Sequence, residues 1–460
     1  MAMKTQRYKK LLLICAIVIV LAVGAWAVIY YHVGNIRIGG SDGGQTASYQ
    51  TPEEASSVYV RFDMEGYDTI KANYWAASST YDLPKVFQAS LAKVLNTSGA
   101  SNSNAALPVL PSDDRAGTAA MLASVIATSS TPAAQDFDKQ LAVATLQVVL
   151  YNLQPAGRSS LASSQQVTAL RQEVSNVNPT ADLYGDLGAA TSSSAAALKQ
   201  SYDQKMATLA HATSSADLAK AKQVAYAYKV LSDQNTRALY TSSGIQPTAS
   251  NSILGNTLYV RLSKMAPTVV QEFAWDVDAA STTSGLDSLI IDLRGNIGGS
   301  TAVAQGFMGL FLGPNQYAFD LFHQGDYQVQ RTLLGKFPEL DRYHEIAVLT
   351  DNMTQSTAEV LTEALSHFNL AHSVGATTRG WGTVEDTYPL KTAIDPVVSY
   401  ALILVNSVTL RSDGQPIESR GVTPDVDVSA KGWQARLSSY FRSPGLIQAI
   451  ESSLAKPAGK

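Results

Sequence analysis

Leu289-Ile290-Ile291-Asp292-Leu293-Arg294-Gly295-Asn296-Ile297-Gly298-Gly299 decides the fold. Leu289–Leu293 is a short, nearly continuous apolar run and reads as a strand buried on both faces. The glycines behind it let the backbone approach another group closely, and they equally suit a tight strand-to-helix turn. Outward from this stretch the texture repeats. Leu258–Leu262, Ile346–Thr350 and Tyr400–Val408 read as further strands. Ala266–Ala280, Ala302–Phe311 and Ser356–Phe368 carry helical spacing between them. Strands alternating with helices predict an α/β core with a mixed sheet, spanning 251–430 and closed by C-terminal helices over 431–460.

Three more short patterns follow the first in order. They are Ser356-Thr357-Ala358-Glu359, Gly380-Trp381-Gly382-Thr383 and Gly421-Val422-Thr423-Pro424-Asp425. Ser356 follows a strand and opens a helix, where unpaired N–H groups and the positive end of the helix dipole gather. A hydroxyl there sits beside donors for the oxyanion it would create by attacking a carbonyl. Ser356-x-x-Glu359 is also a capping box, which needs no catalysis. The four patterns together resemble the tail-specific, or carboxyl-terminal processing, serine peptidases. The resemblance implies Ser356 as nucleophile and Glu359 as a supporting residue. It also implies an oxyanion hole from a glycine N–H of the first pattern, Gly298 or Gly299, with the N–H of Thr357.

The third pattern departs from that family, which has Gly-Lys-Gly-Thr there. Trp381 stands at the lysine position, and an indole N–H donates only, so it cannot take the serine proton. Four residues on, where some relatives place a glutamine that orients the lysine, this chain has Glu385. Glu385 and His372 are the candidate substitute bases, each against the plainer reading of a surface or helix-end polar residue. Arg379 flanks the same position. His367 lies 11 residues along the Ser356 helix, about 16 Å away at 1.5 Å per residue, and His344 precedes the Ser356 strand at its far end.

Residues 56–175 read mainly as helix, with Asn96–Ala106 and Thr128–Ala134 as low-complexity loops. Leu153-Gln154-Pro155-Ala156 and the following Arg158–Leu161 are similar to a turn in the helical N-terminal part of the same family. A peptide-binding PDZ domain comes next in that family, but no such pattern occurs here. Residues 176–250 read as helices instead, over Ala195–Ala210 and Asp217–Leu231. The ending Tyr228-Lys229-Val230-Leu231-Ser232-Asp233, Arg237-Ala238-Leu239-Tyr240 and Gly244 resembles the last helices of a J-domain. The loop that would carry His-Pro-Asp reads His211-Ala212-Thr213, without the proline and aspartate.

The 460 residues have a net charge of −4, which gives no reason to expect a nucleic-acid partner. The single cysteine, Cys15, excludes an intrachain disulfide, and the six histidines show no metal-ligand spacing, so no cofactor is expected. Leu11–Tyr31 is a run of 21 uncharged residues, about 30 Å as a helix, preceded by Lys4, Arg7, Lys9 and Lys10. The expectation is a cytoplasmic tip and transmembrane anchor over 1–34, a flexible linker over 35–55, and the bulk of the chain outside the cell membrane. Ala25-Trp26-Ala27 offers the alternative of a cleaved signal peptide. Expected partners are proteins or peptides with unstructured C-terminal tails. The leading function is a serine endopeptidase. The alternatives are a catalytically impaired pseudo-peptidase that binds peptides, and a membrane-tethered co-chaperone.

Overall fold

A computed structural model describes residues 51–97, 107–126, 132–211 and 213–457. The expected anchor, the linker up to residue 50, and the centres of both low-complexity loops lie outside these residues. Among the described residues no helix is long and apolar enough to cross a membrane. The chain divides into two compact units.

The first unit gathers the residues up to Asn73, Asp82–Ser163 and Asp386–Leu404. It is helical, as its sequence predicts. Helices α1 (Pro52–Ser56), α2 (Val58–Asn73), α3 (Leu83–Thr97), α4 (Arg115–Val125) and α5 (Pro132–Asn152) precede a short strand β1 (Ser160–Ser163). Leu146 of α5 presses against Gly66 of α2, and Tyr67 meets Phe87 ring to ring at 5.4 Å. Arg115 binds the carboxylates of Glu54 and Asp68 together. The sequence reading assigned 386–404 to the peptidase core and 164–175 to the helical region, and the contacts divide the chain differently. The physical reason is long-range pairing, because β1 runs antiparallel to Tyr400–Ile403, a partnership that no local pattern announces.

The second unit holds the helices α6 (Ser164–Val174), α7 (Leu183–Leu187), α8 (Ala195–Leu209), α9 (Ser215–Ser232) and α10 (Gln234–Ser243). The last four share one apolar cluster built on Leu187, Leu198, Val224, Ala227 and Leu231. Arg237 donates to the Tyr184 hydroxyl and to the carbonyls of Thr191 and Ser193, while the Tyr240 hydroxyl bridges Leu183 and Ala181. The Arg-Ala-Leu-Tyr segment quoted for the J-domain resemblance therefore does packing work here. Of the loop between α8 and α9, Ala212 lies outside the described residues.

The same unit contains a six-stranded sheet in the order β11-β8-β7-β4-β3-β2. Its strands are β2 (Ala249–Leu254), β3 (Thr257–Leu262), β4 (Ser288–Asp292), β7 (Glu345–Thr350), β8 (His372–Gly375) and β11 (Val426–Asp427), while β9 (Thr383–Pro389) and β10 (Tyr400–Thr409) do not belong to it. Only β2 runs antiparallel to its neighbour; the other pairs are parallel. In β4, Leu289 and Ile291 enter the core cluster on one face and Ile290 enters the cluster on the other. This is why the strand reads as a continuous apolar run rather than an alternation. Helices α11 (Val269–Ala280), α12 (Thr301–Leu312) and α13 (Thr357–His367) contribute to the first cluster, and α14 (Trp433–Tyr440) and α15 (Pro444–Leu454) to the second. The predicted start of α11 at Ala266 moves to Val269, beyond Pro267. The C-terminal helical stretch splits before Pro444, which takes the first position of α15. The hairpin β5 (Tyr317–His323) and β6 (Asp326–Arg331) was not legible, because β6 is almost wholly exposed and its two apolar residues, Tyr327 and Val329, lie open to solvent.

Candidate active site

Three loops leave the carboxyl ends of three neighbouring parallel strands, β4, β7 and β8, the edge where open α/β sheets place their ligand crevice. The first two are bolted together. The Gly295 N–H donates to Asp351 at 2.9 Å, the Thr354 hydroxyl to the Leu293 carbonyl at 2.9 Å, and the Gln355 N–H to the Asn296 carbonyl at 2.9 Å. Below them, fully buried Asp292 accepts the Arg294 guanidinium and the Tyr259 hydroxyl. The charged residues within the apolar run thus anchor the turn.

Ser356 stands immediately before α13 with φ 57° and ψ −129°. A non-glycine residue in this region carries strain of about 1–3 kcal/mol, of the kind that concentrates at functional turns. Gly298 lies directly against it. A side chain at Gly298 would come within 2.5 Å of the Ser356 Cβ, so glycine is required there. The Gly298 N–H donates to the Asn296 side chain at 2.8 Å and is not available as an oxyanion donor. Of the two glycines named from the sequence, Gly299 remains. Among the described residues its N–H has no acceptor, and neither has the N–H of Thr357. The Thr357 hydroxyl donates to the Gly299 carbonyl at 2.8 Å, holding the two residues together. One strained hydroxyl and two unpaired amides at a helix N-terminus make an arrangement suited to acyl transfer.

Glu359 does more than the sequence reading gave it. Its carboxylate is fully buried and accepts the N–H of Ser356 at 2.8 Å, of Gly380 at 2.7 Å and of Trp381 at 2.8 Å, together with the Thr378 hydroxyl. Burial pushes its carboxyl above the ordinary value, and these four donors act against that rise. One oxygen binds both the Ser356 and Trp381 amides, so the nucleophile loop and the loop after β8 lie side by side. Thr378 extends the link by accepting from the Val422 N–H, and Glu418 accepts the Gly382 N–H at 2.8 Å. Asn296, Thr378 and Glu418 were not singled out in the sequence. Their roles are hydrogen bonds across loops, which spacing does not reveal.

Trp381 therefore sits beside Ser356, where the pattern puts the family lysine. Its indole N–H points to Glu385 at 3.3 Å, and Glu385 also accepts the Thr383 hydroxyl at 2.5 Å. The Arg379 guanidinium lies 5.8 Å from the indole centroid. Ser356 makes no hydrogen bond to a carboxylate side chain through its hydroxyl, nor to any imidazole or amine, among the described residues. His372 is not gathered into this group. It opens β8 opposite Ala347, away from the strand end, with Asp425 at 3.7 Å and the rings of Tyr440 and Phe441 at 5.1 and 5.9 Å. It is seated among partners of its own because β8 runs parallel to β7 and places its first residue at the far end. His367 packs against Tyr317 and Phe368, and the His344 N–H donates to Asp287 before β7 begins.

Residues 256–428 match the sequence profile of "Peptidase family S41". A "Probable CtpA-like serine protease" of Staphylococcus aureus (strain N315) is 27% identical over 151 residues, 33% of this chain and 29% of that protein. The chain thus spans less than a third of the length of the curated relatives it matches. Among solved structures, "Photosystem II D1 C-terminal processing protease" aligns with 81% of this chain and 93% of its own, at 15% identity and a TM-score of 0.42. A "lipoprotein from Streptococcus agalactiae" aligns with 59% and 94%, at 17% identity and a TM-score of 0.33.

Proposed function

We propose that this chain is a serine-type peptidase of the tail-specific kind, cleaving proteins near unstructured C-terminal ends. In this reading residues 11–31 anchor it in the cell membrane and the rest acts outside the cytoplasm. The observation that carries the chemistry is Ser356, held in a strained conformation at the start of α13 beside the unpaired N–H groups of Gly299 and Thr357. The Ser356 oxygen attacks a peptide carbonyl and the two N–H groups receive the oxyanion; collapse breaks the C–N bond, the serine proton passes through solvent to the departing amine, and water hydrolyses the acyl-enzyme that remains.

A second reading is supported by the Trp381 indole. It fills the place of the family lysine, and its N–H is turned toward Glu385 rather than toward Ser356. Without a side chain to take the serine proton, the domain would hold peptides and not cut them. In either reading the helices α7–α10 serve packing or substrate contact rather than stimulation of a chaperone ATPase.

Cleavage of an unstructured protein tail separates the two. The peptidase reading expects cleavage by the natural chain and a loss on the order of a thousandfold or more in Ser356→Ala. No cleavage by the natural chain, with activity appearing in Trp381→Lys, would establish the second reading.

A further inference from the structure

β6 is the outermost strand of its sheet, and among the described residues only β5 pairs with it. Its sequence is Asp326-Tyr327-Gln328-Val329-Gln330-Arg331, and it is exposed along nearly its whole length. Tyr327 is 63% exposed and Val329 51%. The turn from β5 is the two-residue loop Gln324-Gly325, both with positive φ, closed by the pair His323 and Asp326. The closing pair of such a hairpin exchanges both its hydrogen bonds, and bonded and non-bonded pairs then alternate along the ladder. Asp326, Gln328 and Gln330 therefore turn their N–H and C=O groups to β5, while Tyr327 and Val329 turn theirs to the open edge. Nothing within the strand blocks that edge. It holds no proline and no lysine, and its register with β5 runs without a shift from Asp326 to Gln330. The two residues with outward backbone groups are also the two apolar ones, and they share one side of the sheet. There the Tyr327 ring meets Phe322 at 5.4 Å, and Phe322 meets Trp75 at 6.4 Å, an aromatic row that stops at the edge.

The strand complements itself. A two-fold axis passing through the sheet at Gln328 lays β6 of a second copy antiparallel to this one. Tyr327 then pairs with Val329 of the second copy, and Val329 with its Tyr327, each pair exchanging both backbone hydrogen bonds. Gln328 faces Gln328 and Asp326 faces Gln330, so no like charges oppose each other, and the aromatic row continues across the seam as aromatic and β-branched pairs. An axis at Val329 instead would need the Arg331 backbone, whose carbonyl already accepts from Gln305 at 3.0 Å. We infer that β6 is a self-association surface: two copies of this chain join by antiparallel pairing of β6 about Gln328, and their sheets become one. A single strand seam is small for a protein interface, so association in the micromolar range is expected.

The test uses the full-length chain in detergent with Cys15→Ser, so that an introduced cysteine is the only thiol. In the paired strands Gln328 occupies a non-hydrogen-bonded site, where the two Cα atoms lie about 4.5 Å apart, within disulfide reach. Gln328→Cys is expected to give, under mild oxidation, a covalent dimer that reductant reverses. Two Gln330 positions would lie about 14 Å apart, so Gln330→Cys is expected to stay uncrosslinked. Sedimentation of the chain without introduced cysteine is expected to show a dimer whose dissociation constant rises about tenfold in Val329→Pro, which deletes an outward N–H that β5 does not use. Circular dichroism checks that each variant is folded. Four results overturn the inference: folded Gln328→Cys that does not cross-link, Gln330→Cys that cross-links equally, a dimer unchanged by Val329→Pro, or a chain that is monomeric up to high micromolar concentration. In the last case, uptake of an unrelated extended peptide that Val329→Pro abolishes would make the occupant of the edge a different partner.

Discussion

Ser356 and Gly298 are in close contact. Gly298 has φ 86°, and an added Cβ would sit 2.5 Å from the Ser356 Cβ. Gly298→Ala should displace Ser356 and reduce its reaction with an acylating or phosphonylating probe at least a hundredfold, while far-ultraviolet circular dichroism stays that of the folded chain; undiminished reaction would show that the contact yields. Glu359→Gln tests a different link. An amide NH2 in place of one oxygen would confront a donor where it now finds an acceptor, leaving at least one buried N–H or O–H unpaired at a cost of about 1–3 kcal/mol. The variant should melt at a lower temperature and lose probe reactivity together, since the same oxygen holds Ser356 and Trp381. A drop in melting temperature with full reactivity would mean that Glu359 stabilises the fold without aligning the site. At this scale the sequence was partly legible. Ser356, Thr357 and Trp381 could be read from pattern and position. The diversion of the Gly298 N–H to Asn296, and the seating of His372 by Asp425, Tyr440 and Phe441, depend on contacts between residues far apart along the chain.

At the element scale, helix α11 carries a titratable point. Burial pushes the Asp276 carboxyl up to about 6. It accepts from Asn251 of β2, and Glu272 on the same helix and Asp233 at the start of α10 repel its charge while Lys229 of α9 attracts it. The folded state therefore keeps the Asp276 proton at pH values where the unfolded chain, near 3.8, has released it. Stability falls as pH rises from about 4 to about 6, and the penalty of roughly 3 kcal/mol is present in full above that window. Asp276→Asn should match the natural chain in melting temperature near pH 4 and exceed it by several degrees at pH 8. Parallel melting curves across that range would refute the assignment. Two of the strands that the sequence reading missed carry a weak local signal. β1 is four residues long and β6 is almost wholly exposed, so neither has the continuous apolar run of β4 and β7, which are buried through both faces and were read within a residue or two.

Across the whole molecule, alternating strands and helices correctly indicated an α/β core, and the loops that carry the first three patterns follow its neighbouring parallel strands β4, β7 and β8. Local periodicity did not indicate that Asp386–Leu404 would leave that core for the helical unit, because the cause is the pairing of β1 with a strand some 240 residues later in the chain. The helices α7–α10 were legible as helices, and the residues that carry their J-domain resemblance hold them to one another. The central claim is that Ser356 is an activated nucleophile although an indole occupies the neighbouring lysine position. Its most direct test is labelling of the natural chain with a fluorophosphonate probe, compared with Ser356→Ala. The account predicts labelling that disappears in the variant. Folded natural protein that takes up no label would contradict it.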